Sequence, residues 1–152
     1  MNYIETLPIH PNLQMSPQAD LNALSASLSP SATLTVPDGN FASTYGNWTN
    51  YNVQTPLAVV NPTSEADILA AIRFAAGNSL RVSARGGGHS SFNTVAGGIV
   101  IDLATYAAVS YDKASQMVNV QGGAKNGDVL AVLAKNSRCT STPLPTTSQL
   151  AW

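Results

Sequence analysis

The most constraining feature of this sequence is a strand, helix, strand pattern in its middle. Residues 57–60 form a short apolar run, which predicts a buried strand. Ser64 and Asp67 then form a capping pair in front of a helix with one apolar face, and Gly77 is placed to end it. Residues 80–84 predict a second strand. The segment is therefore expected to be a βαβ unit with parallel strands.

The residues that follow predict more strands and a last helix. Residues 99–101 are a third apolar strand, and residues 109–111 and 117–120 flank a turn-forming segment as in a β-hairpin. Asn126 is expected to cap a helix that carries Asp128 in its positively polarised first turn. The predicted fold class is therefore α+β, a βαβ unit plus a hairpin.

The first third of the chain is less regular. Prolines interrupt residues 1–20, and Leu21, Leu24 and Leu28 then recur at the spacing of one short helix. Residues 29–55 are rich in Ser, Thr, Asn, Pro and Gly, and predict loop with a short strand at residues 33–36. We expect residues 1–54 to be a lead-in to the domain.

Charge and cysteine content exclude several functions. The 152 residues suit one domain, only 10% of them are charged, and the net charge is -1. Without a cluster of Lys or Arg, neither nucleic acid nor an anionic membrane surface is an expected partner. The single cysteine, Cys139, excludes an internal disulfide and a zinc site built on several thiolates. No secretory signal or membrane-spanning run is evident, and the sequence leaves localisation open.

A run of glycines directly after the second predicted strand is the candidate binding site. Glycine has no Cβ, so its backbone can approach a ligand closely, and successive amides of such a loop can surround a phosphate. An arginine and a serine hydroxyl can add hydrogen bonds to phosphate oxygens. The candidate binding residues are Arg85, Gly86, Gly87, Gly88, His89 and Ser90.

Other interpretations of this run stay open from the residues alone. Three glycines also make an ordinary flexible turn, and neither common phosphate fingerprint is present. His89 is a polar residue of a turn or a nucleophile that bonds to an electrophilic carbon. With one other histidine in the chain, no metal site is expected.

Several motifs in a fixed order resemble a known family. They are the segments Pro56-Leu57-Ala58-Val59-Val60, Ser64-Glu65-Ala66-Asp67-Ile68, Arg85-Gly86-Gly87-Gly88-His89-Ser90, Gly98-Ile99-Val100-Ile101-Asp102-Leu103 and Val120-Gln121-Gly122-Gly123-Ala124. Together they resemble the start of the berberine bridge enzyme-like flavoproteins, of the vanillyl-alcohol oxidase and p-cresol methylhydroxylase group. The resemblance implies the N-terminal part of an FAD-binding domain of the p-cresol methylhydroxylase type at residues 55–135.

The resemblance also implies roles for individual residues. The glycines and Ser90 would hold the FAD pyrophosphate, with Arg85 flanking it and Asp102 at a strand end beside it. His89 matches the histidine that is commonly joined to the 8α-methyl carbon of the flavin. The implied function is flavin-dependent oxidation of a small organic substrate, with oxygen as the acceptor.

The end of the chain departs from the family pattern. Residues 136–152 lack the second glycine-rich stretch that family members carry, and the substrate domain and catalytic base are not recognised, so no catalytic residue is assigned. Cys139 is interpreted as an ordinary thiol. We expect a fragment of an FAD-linked oxidoreductase, with a complementing chain as one possible partner. A non-catalytic flavin- or nucleotide-binding module and an inactive truncated product are the alternatives.

Overall fold

The computed structural model describes residues 19–38, 45, 51–90 and 93–139. Its elements are α1 Leu21–Ser27, β1 Thr33–Thr35, β2 Ala58–Asn61, α2 Glu65–Gly77, β3 Val82–Arg85, β4 Ile99–Asp102, a 3₁₀ turn at Leu103–Thr105, β5 Val109–Asp112, β6 Met117–Val120 and α3 Asn126–Lys135. The expected α+β class is confirmed. None of the described helices is both long and apolar enough to span a membrane. The tail from residue 140 lies outside the described residues.

One four-stranded sheet forms the centre of the fold, with the strand order β1-β2-β4-β3. The pairs β2–β4 and β3–β4 are parallel, and β1 is antiparallel to β2 at the edge. The predicted βαβ unit is present, but its two strands do not pair, because β4 lies between them. All four residues of β4 are buried, as suits a strand paired on both edges and covered on both faces.

The core lies on both faces of this sheet, since side chains alternate along each strand. On one face the strands pack against α1 and α2, and on the other face Val59 and Val100 pack against Val95. The buried residues of the first face are Leu24, Ala58, Val60, Ala71, Ala75, Ile99 and Ile101. The helices therefore cover one face, while the chain around Val95 covers the other.

The predicted hairpin is confirmed as a separate two-stranded sheet of β5 and β6. Gly123 follows it closely: its amide donates to the carbonyl of Tyr106 at 2.9 Å, and a Cβ here would overlap the carbonyl oxygen of Leu103. The expected cap of α3 is wrong. Lys125 occupies the N-cap position and Asn126 is the first helical residue, because the Asp128 carboxylate already accepts from the Lys125 amide at 2.9 Å.

The capping pair of α2 is confirmed and extends into a larger network around one buried carboxylate. Asp67 is 1% exposed and accepts from the backbone amides of Ser29, Thr63 and Ser64 at 2.7, 3.0 and 2.9 Å, and from their hydroxyls. Burial raises the pKa of Asp67, but these hydrogen bonds outweigh burial and hold the pKa well below its ordinary value. The carboxylate thus joins the segment after α1 to the start of α2.

We predict that Asp67→Asn lowers the free energy of unfolding by about 2–4 kcal/mol, because an amide leaves several buried donors without an acceptor. The pKa is lower in the folded chain, so the carboxylate stabilises the fold above about pH 4 and loses this contribution as the pH falls further. Urea titrations near neutral pH and near about pH 3 measure both effects. When the pH is lowered from neutral to about 3, the unmodified chain should lose more stability than the variant.

A suitable control is Asp112→Asn. Asp112 is exposed and accepts only from residues of its own turn, Ala114 and Ser115. Its replacement is expected to change stability by about 0.5 kcal/mol or less. Equal effects of the two substitutions would contradict the central position given to Asp67.

Candidate functional site

The glycine run lies at the carboxyl end of β3, at the sheet edge where open parallel sheets bind ligands. The strand extends through Arg85, one residue past its predicted end, so the loop begins at Gly86. Gly88 is buried and has a φ of 75°, a backbone conformation that residues with a side chain rarely adopt. The loop conformation therefore depends on glycine at this position.

The loop surrounds a cavity of about 140 Å³. The residues that line it are Ala84, Gly86, Gly87, Gly88, His89, Ser90 and Asn93. His89 is half-buried, and Ser90 is exposed. The structure thus brings together five of the six candidate residues. Asn93 carries no sequence signal, because its place in the lining depends on the tertiary structure. Its amide donates to the carbonyl of Ser90 at 3.4 Å.

Arg85 is the sixth candidate, and it is not among the residues that line the cavity. Its side chain is 8% exposed and forms an ion pair with Asp102, with Nη1 2.7 Å from Oδ2. Nη2 donates a hydrogen bond to the backbone carbonyl of Tyr45, and the guanidinium carbon lies 5.8 Å from the centroid of that tyrosine ring. Arg85 therefore lies at the start of the loop, and its guanidinium group contacts Asp102 and Tyr45.

Asp102 lies at the end of β4, directly opposite Arg85 in the parallel register. The resemblance places it at a strand end beside the loop, and this position is confirmed. Its Oδ1 accepts from the amide of Ala104 at 3.0 Å, which caps the 3₁₀ turn that follows β4. One carboxylate thus contacts both the end of β3 and the start of the next turn.

The described part of the chain contains no group of three or more His, Cys, Asp or Glu residues that could bind a metal ion. Cys139 is exposed at the end of the described residues. The polar groups around the cavity are the loop backbone, one imidazole, one hydroxyl and one amide. This set suits hydrogen bonding to an anionic ligand better than metal coordination.

Comparison with known proteins identifies the family. The model of the FAD binding domain family matches residues 56–148, more than half of the chain, so the chain belongs to this family. The match extends past residue 135, where the domain implied by the resemblance ends. The family and its relatives indicate FAD as the cofactor, and the expected resemblance is confirmed.

Three relatives illustrate the extent of the similarity. FAD-linked oxidoreductase hasG of Aspergillus fumigatus is 47% identical over 83 residues, which are 53% of this chain and 18% of that protein. (R)-6-hydroxynicotine oxidase of Paenarthrobacter nicotinovorans is 31% identical over 100 residues, 64% of this chain and 22% of that protein. The structure of BBE-like 1 of Physcomitrella patens matches with a TM-score of 0.63 and 27% identity, over 76% of this chain and 26% of that chain. The chain spans about a fifth of the length of the curated relatives.

Proposed function

We propose that the loop at residues 86–90 holds the pyrophosphate of FAD. The observation that supports this most directly is the cavity at the carboxyl end of β3, whose lining includes three successive glycines. Glycine lets an anionic ligand approach the backbone, and Ser90, an exposed residue of the same lining, carries a hydroxyl group of the kind that binds phosphate oxygens. Membership of the FAD binding domain family supplies the identity of the ligand.

The size of the cavity fits one part of FAD. Its volume of about 140 Å³ is below the roughly 300–1,000 Å³ of pockets that enclose a complete small molecule. The residues present therefore suit the phosphate groups. The adenosine and the flavin ring system, apart from its 8α-methyl edge, would lie against surfaces outside this cavity. A complementing chain, or further sequence of a longer protein, is our proposed source of those surfaces.

The proposed reaction is the oxidation of a small organic substrate, with dioxygen as the acceptor. Bound FAD supplies the two-electron acceptor for such chemistry, and the protein supplies binding and orientation. Two relatives support this proposal, one named as an FAD-linked oxidoreductase and one as an oxidase of 6-hydroxynicotine. A non-catalytic flavin-binding module would use the same loop, and reduction of bound FAD by a substrate would distinguish the two.

We further propose that His89 attaches covalently to the 8α-methyl carbon of FAD. His89 lines the cavity and is half-buried, so its imidazole lies beside the proposed phosphate site. The attachment replaces a C–H and an N–H bond by one C–N bond, which releases two protons and two electrons, and dioxygen would accept the electrons. A neutral imidazole nitrogen is the nucleophile that this bond requires.

The loop proposal predicts that Gly87→Val abolishes FAD binding without unfolding the chain. Gly87 is exposed and, unlike Gly88, does not have a positive φ, so valine is compatible with the backbone. A branched side chain here would occupy the space that the phosphates need. We expect the dissociation constant for FAD, measured by fluorescence quenching, to rise at least about 100-fold, a change of about 2.7 kcal/mol.

The matched control is Gly127→Val in α3, where a Cβ would meet nothing within 4 Å. It should leave FAD affinity within about twofold of the unmodified chain. Undiminished FAD binding by folded Gly87→Val would refute the loop as the phosphate site. Failure of the unmodified chain to bind FAD would instead favour the inactive product.

The attachment proposal predicts that flavin absorbance remains with the chain after acid precipitation and is lost in His89→Ala. The variant is expected to release all of its flavin into the supernatant, because no carbon–nitrogen bond holds it. Gly127→Val again serves as the control, since Gly127 lies in α3 and is not among the residues that line the cavity. Covalent flavin in His89→Ala would show that another residue forms the bond.

A further inference from the structure

We infer that Asp102 is a positioning residue for FAD: through Arg85 it holds the glycine loop in the conformation that binds the pyrophosphate. This inference rests on the proposed phosphate site at residues 86–90. Asp102 is not among the residues that line the cavity, so it would act without touching the phosphates. The observations that carry the inference are the ion pair with Arg85 and the position of both residues at the ends of their strands.

Asp102 is connected to the glycine loop through Arg85. Arg85 immediately precedes Gly86, so whatever fixes the Arg85 side chain also fixes the point at which the loop leaves the sheet. The ion pair is buried, with the Asp102 side chain 4% exposed, and its charges are therefore screened little by solvent. A charge-assisted contact of 2.7 Å restrains Arg85 strongly.

Both terminal nitrogens of Arg85 contact other groups of the protein. One of its terminal nitrogens contacts Asp102, and the other contacts the carbonyl of Tyr45. These contacts join three segments of the chain that are distant in sequence, the end of β3, the end of β4 and the chain at Tyr45. Arg85 therefore fixes the start of the loop to the sheet, and the negative charge of Asp102 holds the Arg85 side chain in place.

The effect of Asp102 on the orientation of the loop can be separated from its effect on the stability of the fold. A buried ion pair often contributes little to stability compared with apolar residues of similar size, whereas removal of one partner leaves an uncompensated buried charge. Replacing both residues by apolar ones should consequently restore the fold but not the orientation of the loop. The double variant Arg85→Met with Asp102→Leu is thus the informative comparison with Asp102→Asn.

Three measurements on the full chain test the inference: FAD affinity, amide hydrogen exchange and the melting temperature. In Asp102→Asn we expect the dissociation constant for FAD to rise by about 10- to 100-fold, as for residues that orient metal ligands. Amide hydrogen exchange should accelerate at least about tenfold at residues 86–89, while the amides of β2 keep their protection. The double variant should recover only part of the melting temperature lost in Asp102→Asn, because it also lacks the hydrogen bonds to the Ala104 amide and the Tyr45 carbonyl. It should keep the weak FAD binding, and Asp102→Glu should recover part of the affinity.

The outcomes are distinguishable. Unchanged FAD affinity and loop exchange in folded Asp102→Asn would overturn the role of Asp102 and leave the proposed function intact. A double variant that regains both stability and FAD affinity would also overturn it, since the ion pair would then be only structural. Absence of FAD binding by the unmodified chain would overturn the proposed function and the role of Asp102 with it.

Discussion

The buried ion pair between Arg85 and Asp102 determines how the carboxyl edge of the sheet is built. It joins the last residues of β3 and β4, which are partners in the parallel register. Each of these two residues is followed directly by an element that leaves the sheet at this edge. The glycine loop follows Arg85, and the 3₁₀ turn is capped by Asp102. We propose that the position of the cavity relative to the sheet depends on this contact between two charged side chains that the solvent hardly reaches.

The other strands and the helices stabilise the sheet to which this edge belongs. β2 and β4 form the apolar centre of the sheet, and α2 crosses one face from the end of β2 to the start of β3. Asp67 fixes the start of that helix and the segment after α1 with a single carboxylate. Two buried carboxylates thus have different tasks: one organises the helical layer, and the other organises the edge at which the ligand is proposed to bind.

Local patterns in the sequence predicted the elements well, because apolar periodicity and turn residues act over a few positions. Pairing could not be predicted in the same way: nothing local to β4 shows that it lies between β2 and β3. The glycine loop was predicted from its composition, but the contacts of Arg85 were not, since Asp102 is 17 residues away and Tyr45 is 40 residues away. The cap of α3 was mispredicted by one residue: Asn126 is the first helical residue, and the Asp128 carboxylate accepts from the amide of Lys125, which occupies the N-cap position.

The central claim is that the loop after β3 is the part of this FAD binding domain that contacts the cofactor phosphates. The most direct measurement is a titration of the ¹⁵N-labelled chain with FAD, followed by two-dimensional amide NMR spectra. The account predicts that the largest and saturable shifts occur at the amides of residues 86–90, and that ADP, which carries the same pyrophosphate, reproduces them. Saturable shifts confined to the β5–β6 hairpin or to the α1 and α2 surface, with the loop amides unchanged, would contradict it.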